Sequence, residues 1–221
     1  MKMFQSQLSK ILKLLLAFMI LTNNILFANS VDAVLFNSTV TTGPQVVKDN
    51  RLIITGDSFA GKFVEFEENK DFILTGSARA GRTIVDNSQI MLNSLNYEFK
   101  NVLVSIGVND HFYETPPYKF EATLRSFLNQ ACFNNKKVYF HSYLNYFADT
   151  NPRKKYAIFV YDNIIRQLCL EYFNAQYIDV KDLENLYYIS DDYIHYNKLF
   201  YDELFKRLKN LLIKEEENAK F

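Results

Sequence analysis

From residue 51 onward the apolar positions follow two alternating patterns. Short runs at 52–55, 72–75, 102–106, 137–140 and 177–180 have the length of strands. Between several of them apolar residues recur at helical spacing. Ile84, Ile90, Met91, Leu95 and Phe99 mark one face over 84–99, and 118–133 and 156–173 repeat the pattern. Over 197–217, Leu204, Leu208, Leu211 and Leu212 form one stripe with charges on the remaining faces. Strands alternating with helices predict a parallel sheet covered on both sides, an α/β fold arranged as a three-layer α/β/α sandwich with a mostly parallel five-stranded sheet. Residues 31–50 lack clear periodicity, and Thr41-Thr42-Gly43-Pro44 reads as a turn. That stretch is expected to be an N-terminal leader segment laid over a domain spanning 51–221.

The first thirty residues differ from the rest. Lys2, Lys10 and Lys13 precede an uncharged run from Leu14 to Ser30 that contains no acidic residue, the pattern of a secretory signal peptide over 1–30. Ala28 and Ser30 are the small residues that would direct cleavage after Ser30. The uncharged run is short for a spanning helix and is interrupted by Asn23-Asn24, so retention as a membrane anchor is the alternative. A secreted or extracytoplasmic protein with no stable membrane insertion is expected.

The chain has 221 residues, room for one domain with a sizeable core. Hydrophobic residues make up 48% and charged residues 23%, which excludes disordered and collagen-like classes. The 25 basic and 25 acidic side chains balance, and loss of three lysines with the signal leaves a mildly acidic protein. Lys136-Lys137 and Arg153-Lys154-Lys155 are short runs that read as solvated faces, so no nucleic-acid partner is expected. Cys132 and Cys169 are the only thiols. Export would permit them to pair, but both fall in helical stretches, and the sequence leaves pairing open. No metal-ligand spacing appears.

In doubly wound sheets the ligand crevice lies beyond the carboxyl ends of the strands. Gly56-Asp57-Ser58 follows the first predicted strand, Gly107-Val108-Asn109-Asp110 the third, and Asp192-Tyr193-Ile194-His195 lies between the last strand and the final helix. All three segments are expected on one rim. A serine hydroxyl is a poor nucleophile until a base takes its proton, so Ser58 needs a histidine. The chain offers His111, His141 and His195, and only His195 has a carboxylate three residues earlier, Asp192, able to orient its ring. Donors for a developing oxyanion would be the Asn109 side chain and the backbone N–H groups of Gly81 and Ser58. Taken singly, each has an ordinary alternative: Ser58 and Asp192 as helix N-caps, Gly81 and Asn109 as turn residues.

Together, in this order and at strand ends, the four blocks resemble the SGNH hydrolases, also called the GDSL esterase/lipase family. Gly56-Asp57-Ser58 is similar to the first block, Gly81 to the second, Gly107-Val108-Asn109-Asp110 to the third (GxND) and Asp192-Tyr193-Ile194-His195 to the last (DxxH). The resemblance covers residues 51 to about 212 and implies a flavodoxin-like fold with Ser58 as nucleophile and oxyanion donor. Gly81 and Asn109 would be the other donors, His195 the general base and acid, and Asp192 its partner. The chain departs from the pattern at Phe59, where an aliphatic residue usually follows the serine, and at Tyr196, where proline often follows the histidine. The second block lacks its common flanking asparagine. The α/β-hydrolase elbow, GxSxG, is a poorer match to Gly56-Asp57-Ser58-Phe59-Ala60.

The resemblance implies ester hydrolysis through an acyl-enzyme without metal or cofactor. Export then points to a small ester or acylated glycan as substrate, chiefly short-chain or O-acetyl esters of carbohydrates. A lysophospholipase, an O-acyltransferase of the same fold and a non-catalytic binding protein are the alternatives. Tyr113, Tyr143, Tyr146 and Phe147, in loops after the third and fourth strands, are candidates to stack on a sugar or line an acyl pocket.

Overall fold

The structure, a computed structural model, describes residues 33–37, 50–66, 72–142, 152–183 and 195–218. Six strands form one sheet: β1 (Ala33–Asn37), β2 (Arg51–Gly56), β3 (Ile73–Arg79), β4 (Asn101–Ser105), β5 (Lys137–His141) and β6 (Ala175–Ile178). Their spatial order is β1-β3-β2-β4-β5-β6. The last five are mutually parallel, with Ile54 paired to Gly76 on one side and to Leu103 on the other. From β2 the chain first steps outward to β3, then crosses back to β4. The β2/β4 boundary is therefore the switch point, where a crevice opens beyond the strand ends.

Among the described residues six helices flank the sheet: α1 (Ser58–Phe66), α2 (Ile84–Ser94), α3 (Val108–Phe112), α4 (Pro117–Phe133), α5 (Pro152–Glu171) and α6 (Lys198–Asn218). α1 packs on β2, β3 and α6, whereas α2 packs on β2, β3 and α4, and α4 on α5. The central strands bury residues on both faces: Leu52, Ile53 and Ile54 of β2 and Val102, Leu103 and Val104 of β4 are all inaccessible. That explains why these runs read as continuously apolar rather than alternating. Beneath α1 and α6 the core is aromatic. Phe63 meets Tyr201 at 4.7 Å and Phe205 at 5.4 Å between ring centres, both edge to face.

The five expected strands form the parallel set, and a sixth was not expected. Residues 33–37, assigned from the sequence to a leader lying over the domain, instead join its sheet as β1, antiparallel to β3 from Ala33 opposite Arg79 to Asn37 opposite Thr75. Five residues are too few to display a period. β3 itself continues four residues beyond Thr75, through Gly76-Ser77-Ala78 to Arg79, because Gly76 lets two backbones approach closely. At φ +144°, a Cβ there would stand 1.9 Å from the Ile54 carbonyl oxygen. The helix expected over 84–99 ends at Ser94, with Leu95 capping it through an N–H to the Leu92 carbonyl.

Lys136 is not on a solvated face. It is buried, and its ammonium donates to the carbonyls of Tyr97 and Phe99, tying the α2–β4 turn to the start of β5. Its neighbour Lys137 is exposed and pairs with Glu215. Cys132 and Cys169 are both free thiols. The expected signal peptide and its cleavage point lie outside the described residues. Among the described residues no helix is long and apolar enough to cross a membrane.

Candidate active site

The site begins with the way β2 ends. Gly56 has φ +137°, and a Cβ on it would lie 1.8 Å from the Ser105 carbonyl oxygen of β4, so only glycine fits. That conformation turns the chain abruptly from strand to helix while the Asp57 N–H still donates to the same Ser105 carbonyl, at 3.0 Å. Asp57 then caps α1: its carboxyl accepts the Phe59 N–H at 3.0 Å, and its carbonyl accepts from Gly61. Ser58 is thus the first residue of the helix rather than its cap. Its own N–H is one of the donors that a helix start leaves unpaired.

Across the switch point, His195 Nε2 stands 2.9 Å from Ser58 Oγ, with both residues half-buried. The imidazole also rests on Phe59, ring centres 4.9 Å apart. The other two histidines are used elsewhere. His141 is buried at the end of β5, where Nδ1 donates to the Ser142 carbonyl at 3.0 Å, leaving Nε2 to accept from the Ser105 hydroxyl at 3.0 Å. Burial lowers its pKa to about 4, which keeps this ring neutral. His111 is buried in α3, its backbone N–H donating to the Gly107 carbonyl.

Asn109 lies on α3, which starts directly after Gly107, at φ +121°. Its amide reaches back to the β2 end, Nδ2 lying 3.4 Å from Asp57 Oδ2. Asp110, beside it, is buried and accepts the Ile84 N–H with both carboxyl oxygens, at 3.0 and 3.1 Å. That bond fastens the start of α2, and with it the loop carrying Gly81, to α3. Thr83 completes the junction as N-cap of α2, in a reciprocal capping box with Asp86. Gly81 itself is exposed at φ +65°, a left-handed conformation that favours glycine although nothing would crowd a Cβ.

Two buried acids therefore brace the mouth. Desolvation first, with repulsion from Asp110 adding to it, raises Asp57 from 3.8 to about 8. Asp110, likewise desolvated but relieved by its bonds to Thr115 and Ile84, is raised to about 6. Both residues belong to the sequence blocks, yet no function was assigned to either from the sequence. Carboxylates following a strand-end glycine were the available signal, since a buried acid there must bind backbone N–H groups. Asp192 and the aromatic candidates Tyr143, Tyr146 and Phe147 lie outside the described residues. Tyr113 is exposed, and its N–H donates to the Asn109 carbonyl at 2.8 Å, one turn further along α3.

Neither a family model nor a curated relative matches the sequence. Solved structures do resemble this one. An acetyl xylan esterase, AlAXEase, superposes with TM-score 0.62 at 19% identity over 73% of this chain and 98% of that one. The lipase/acylhydrolase from Enterococcus faecalis gives 0.62 at 13% identity, covering 75% and 96%. A protein assigned to the lipolytic G-D-S-L family, from Desulfitobacterium hafniense DCB-2, gives 0.61 at 14% identity, covering 73% and 99%. Strand order, switch-point mouth and these neighbours agree: the chain has the α/β/α fold of the SGNH, or GDSL, hydrolases.

Proposed function

We propose that this protein is an exported serine ester hydrolase of the SGNH type. The observation that carries the reading is the 2.9 Å approach of His195 Nε2 to Ser58 Oγ at the switch-point mouth. A nucleophile and its base must lie within hydrogen-bond reach, and this pair does. In the proposed reaction Ser58 Oγ attacks the ester carbonyl as its proton passes to His195 Nε2. The tetrahedral oxyanion is held by the Ser58 N–H at the positive start of α1, by an Asn109 amide hydrogen and by the Gly81 N–H. Collapse breaks the bond to the alcohol, which leaves with the proton from His195. Water then repeats the sequence on the acyl-enzyme and frees the acid. Asp192 would accept from His195 Nδ1 and so keep Nε2 free to take the proton.

For the substrate we infer short-chain or O-acetyl esters of carbohydrates. Support comes from the acetyl xylan esterase and from an acetyl-xylooligosaccharide esterase of Geobacillus, each sharing this fold. The lipase/acylhydrolase with the same fold makes longer acyl chains the second reading. Export rests on the basic, then apolar, first thirty residues. Hydrolysis of p-nitrophenyl esters of increasing acyl length and acetate release from acetylated xylo-oligosaccharides test the reading. Turnover should be highest on acetyl and lost in Ser58→Ala. Undiminished turnover in that variant would dismiss the mechanism, and a preference for long acyl chains would replace the deacetylase reading with a lipase.

A further inference from the structure

Ser58 and Phe59 are consecutive residues at the start of α1, and His195 and Tyr196 are consecutive residues just before α6. The two dipeptides meet along their length. Ser58 bonds His195 at 2.9 Å, Phe59 lies 4.9 Å from the His195 ring, and Phe59 meets Tyr196 edge to face at 5.2 Å. The outer pair is half-buried and polar, the inner pair buried and aromatic: Phe59 is 1% exposed and Tyr196 wholly buried.

The inner pair is itself held firmly. The Phe59 N–H is bound by Asp57, and its carbonyl accepts the Tyr201 hydroxyl of α6 at 3.4 Å. Tyr196 stacks on Phe200 with ring centres 3.9 Å apart. His195 sits in a bend rather than a helix or strand. In a bend, side-chain contacts must fix the ring's direction. Phe59 and Tyr196 are also the two positions flanking the reacting residues where the sequence departs from the SGNH pattern. Here the two departures touch each other.

Resting on the serine-hydrolase reading, we propose that Phe59 and Tyr196 act as a coupled pair of positioning residues, setting His195 against the Ser58 hydroxyl. Tyr196 orients Phe59, and Phe59 supports the imidazole from below. Exchange of either aromatic ring for an aliphatic chain keeps Ser58 and His195 but removes packing on one side of the imidazole, so the ring is aimed less closely at the Ser58 hydroxyl.

The test compares Phe59→Leu, Tyr196→Leu, the double variant and Tyr196→Phe, which keeps the ring, all in the full chain. Steady-state turnover of p-nitrophenyl acetate and the rate at which a fluorophosphonate labels Ser58 report the geometry. Histidine ring NMR reports it without any need for activity. Each leucine variant should lose about three- to tenfold in kcat and in labelling rate, the scale of one aromatic contact, with KM nearly unchanged. The double variant should lose no more than the worse single one, and Tyr196→Phe should retain near-normal rates. His195 ring signals should shift or broaden in both leucine variants while those of His111 stay. Folded leucine variants with unaltered kcat and unaltered His195 signals would overturn the pairing, as would strictly multiplicative losses in the double variant. If wild-type Ser58 resists labelling altogether, the hydrolase reading fails, and the His195 signals alone then decide whether the rings position it.

Discussion

Asp57→Asn isolates the electrostatics beneath the nucleophile. The carboxyl is fully buried, and desolvation, reinforced by Asp110, raises it from 3.8 to about 8, against the opposing bond from the Phe59 N–H. Between those two values the folded chain holds a proton on Asp57 that the unfolded chain has released. Stability from this group is therefore complete below about pH 4, falls as pH rises, and is lost above about pH 8. Each pH unit within the window costs about 1.4 kcal/mol, so two units remove roughly 3 kcal/mol, a large share of a typical domain's roughly 5–15 kcal/mol. Asparagine keeps an oxygen for the Phe59 N–H and cannot ionise, which removes the dependence. Asp110, raised to about 6, titrates inside the same window and repels Asp57, so the wild type shows the two acids as a coupled pair. Urea unfolding of both across that window should show Asp57→Asn gaining on the wild type as pH rises, by up to about 1.4 kcal/mol per pH unit. Any loss at the Asn109 contact adds a constant and leaves that slope intact. Two parallel stability curves would refute the buried, protonated carboxyl.

Gly56→Ala should abolish soluble folded protein, since its Cβ would overlap the Ser105 carbonyl at 1.8 Å, whereas Gly81→Ala, left-handed but uncrowded, should cost only about 1–2 kcal/mol. Soluble yield and urea midpoints measure both, and equal effects would show that crowding is not what distinguishes them. Asn109→Ala should lower kcat by roughly a hundredfold or more on p-nitrophenyl acetate, and a loss in KM alone would remove Asn109 from the oxyanion site. Burial pushes the Cys169 thiol up to about 12, so iodoacetamide should modify it far more slowly in the folded than in the unfolded protein. Equal rates would contradict its burial.

The parts legible in the sequence were those where one physical requirement acts on neighbouring residues. Strands buried on both faces must be apolar throughout, so 52–55 and 102–106 stood out, and α6 showed itself through its leucine stripe. Requirements between distant residues left weaker traces. β1 is held by hydrogen bonds to β3 that any sequence can make, and its five residues carried no period. Gly76 looked like the end of a strand, because its purpose, the closeness of the Ile54 carbonyl, lies on another strand. The same holds at the site. Ser58, Asn109 and His195 were picked out by residue type, as groups able to react. Asp57 and Asp110 were passed over because they act on backbone N–H groups of Phe59 and Ile84, partners that leave no mark in a side-chain motif. Phe59 and Tyr196 were noted only as departures from a pattern, since two aromatic residues 137 positions apart reveal no contact until α1 and α6 are laid together. A mouth built this way separates chemistry from support. The residues that would meet substrate are polar and half-exposed, while those that aim them are buried one position further along the same two segments, so substitutions in the buried set should change rate through geometry before they change binding.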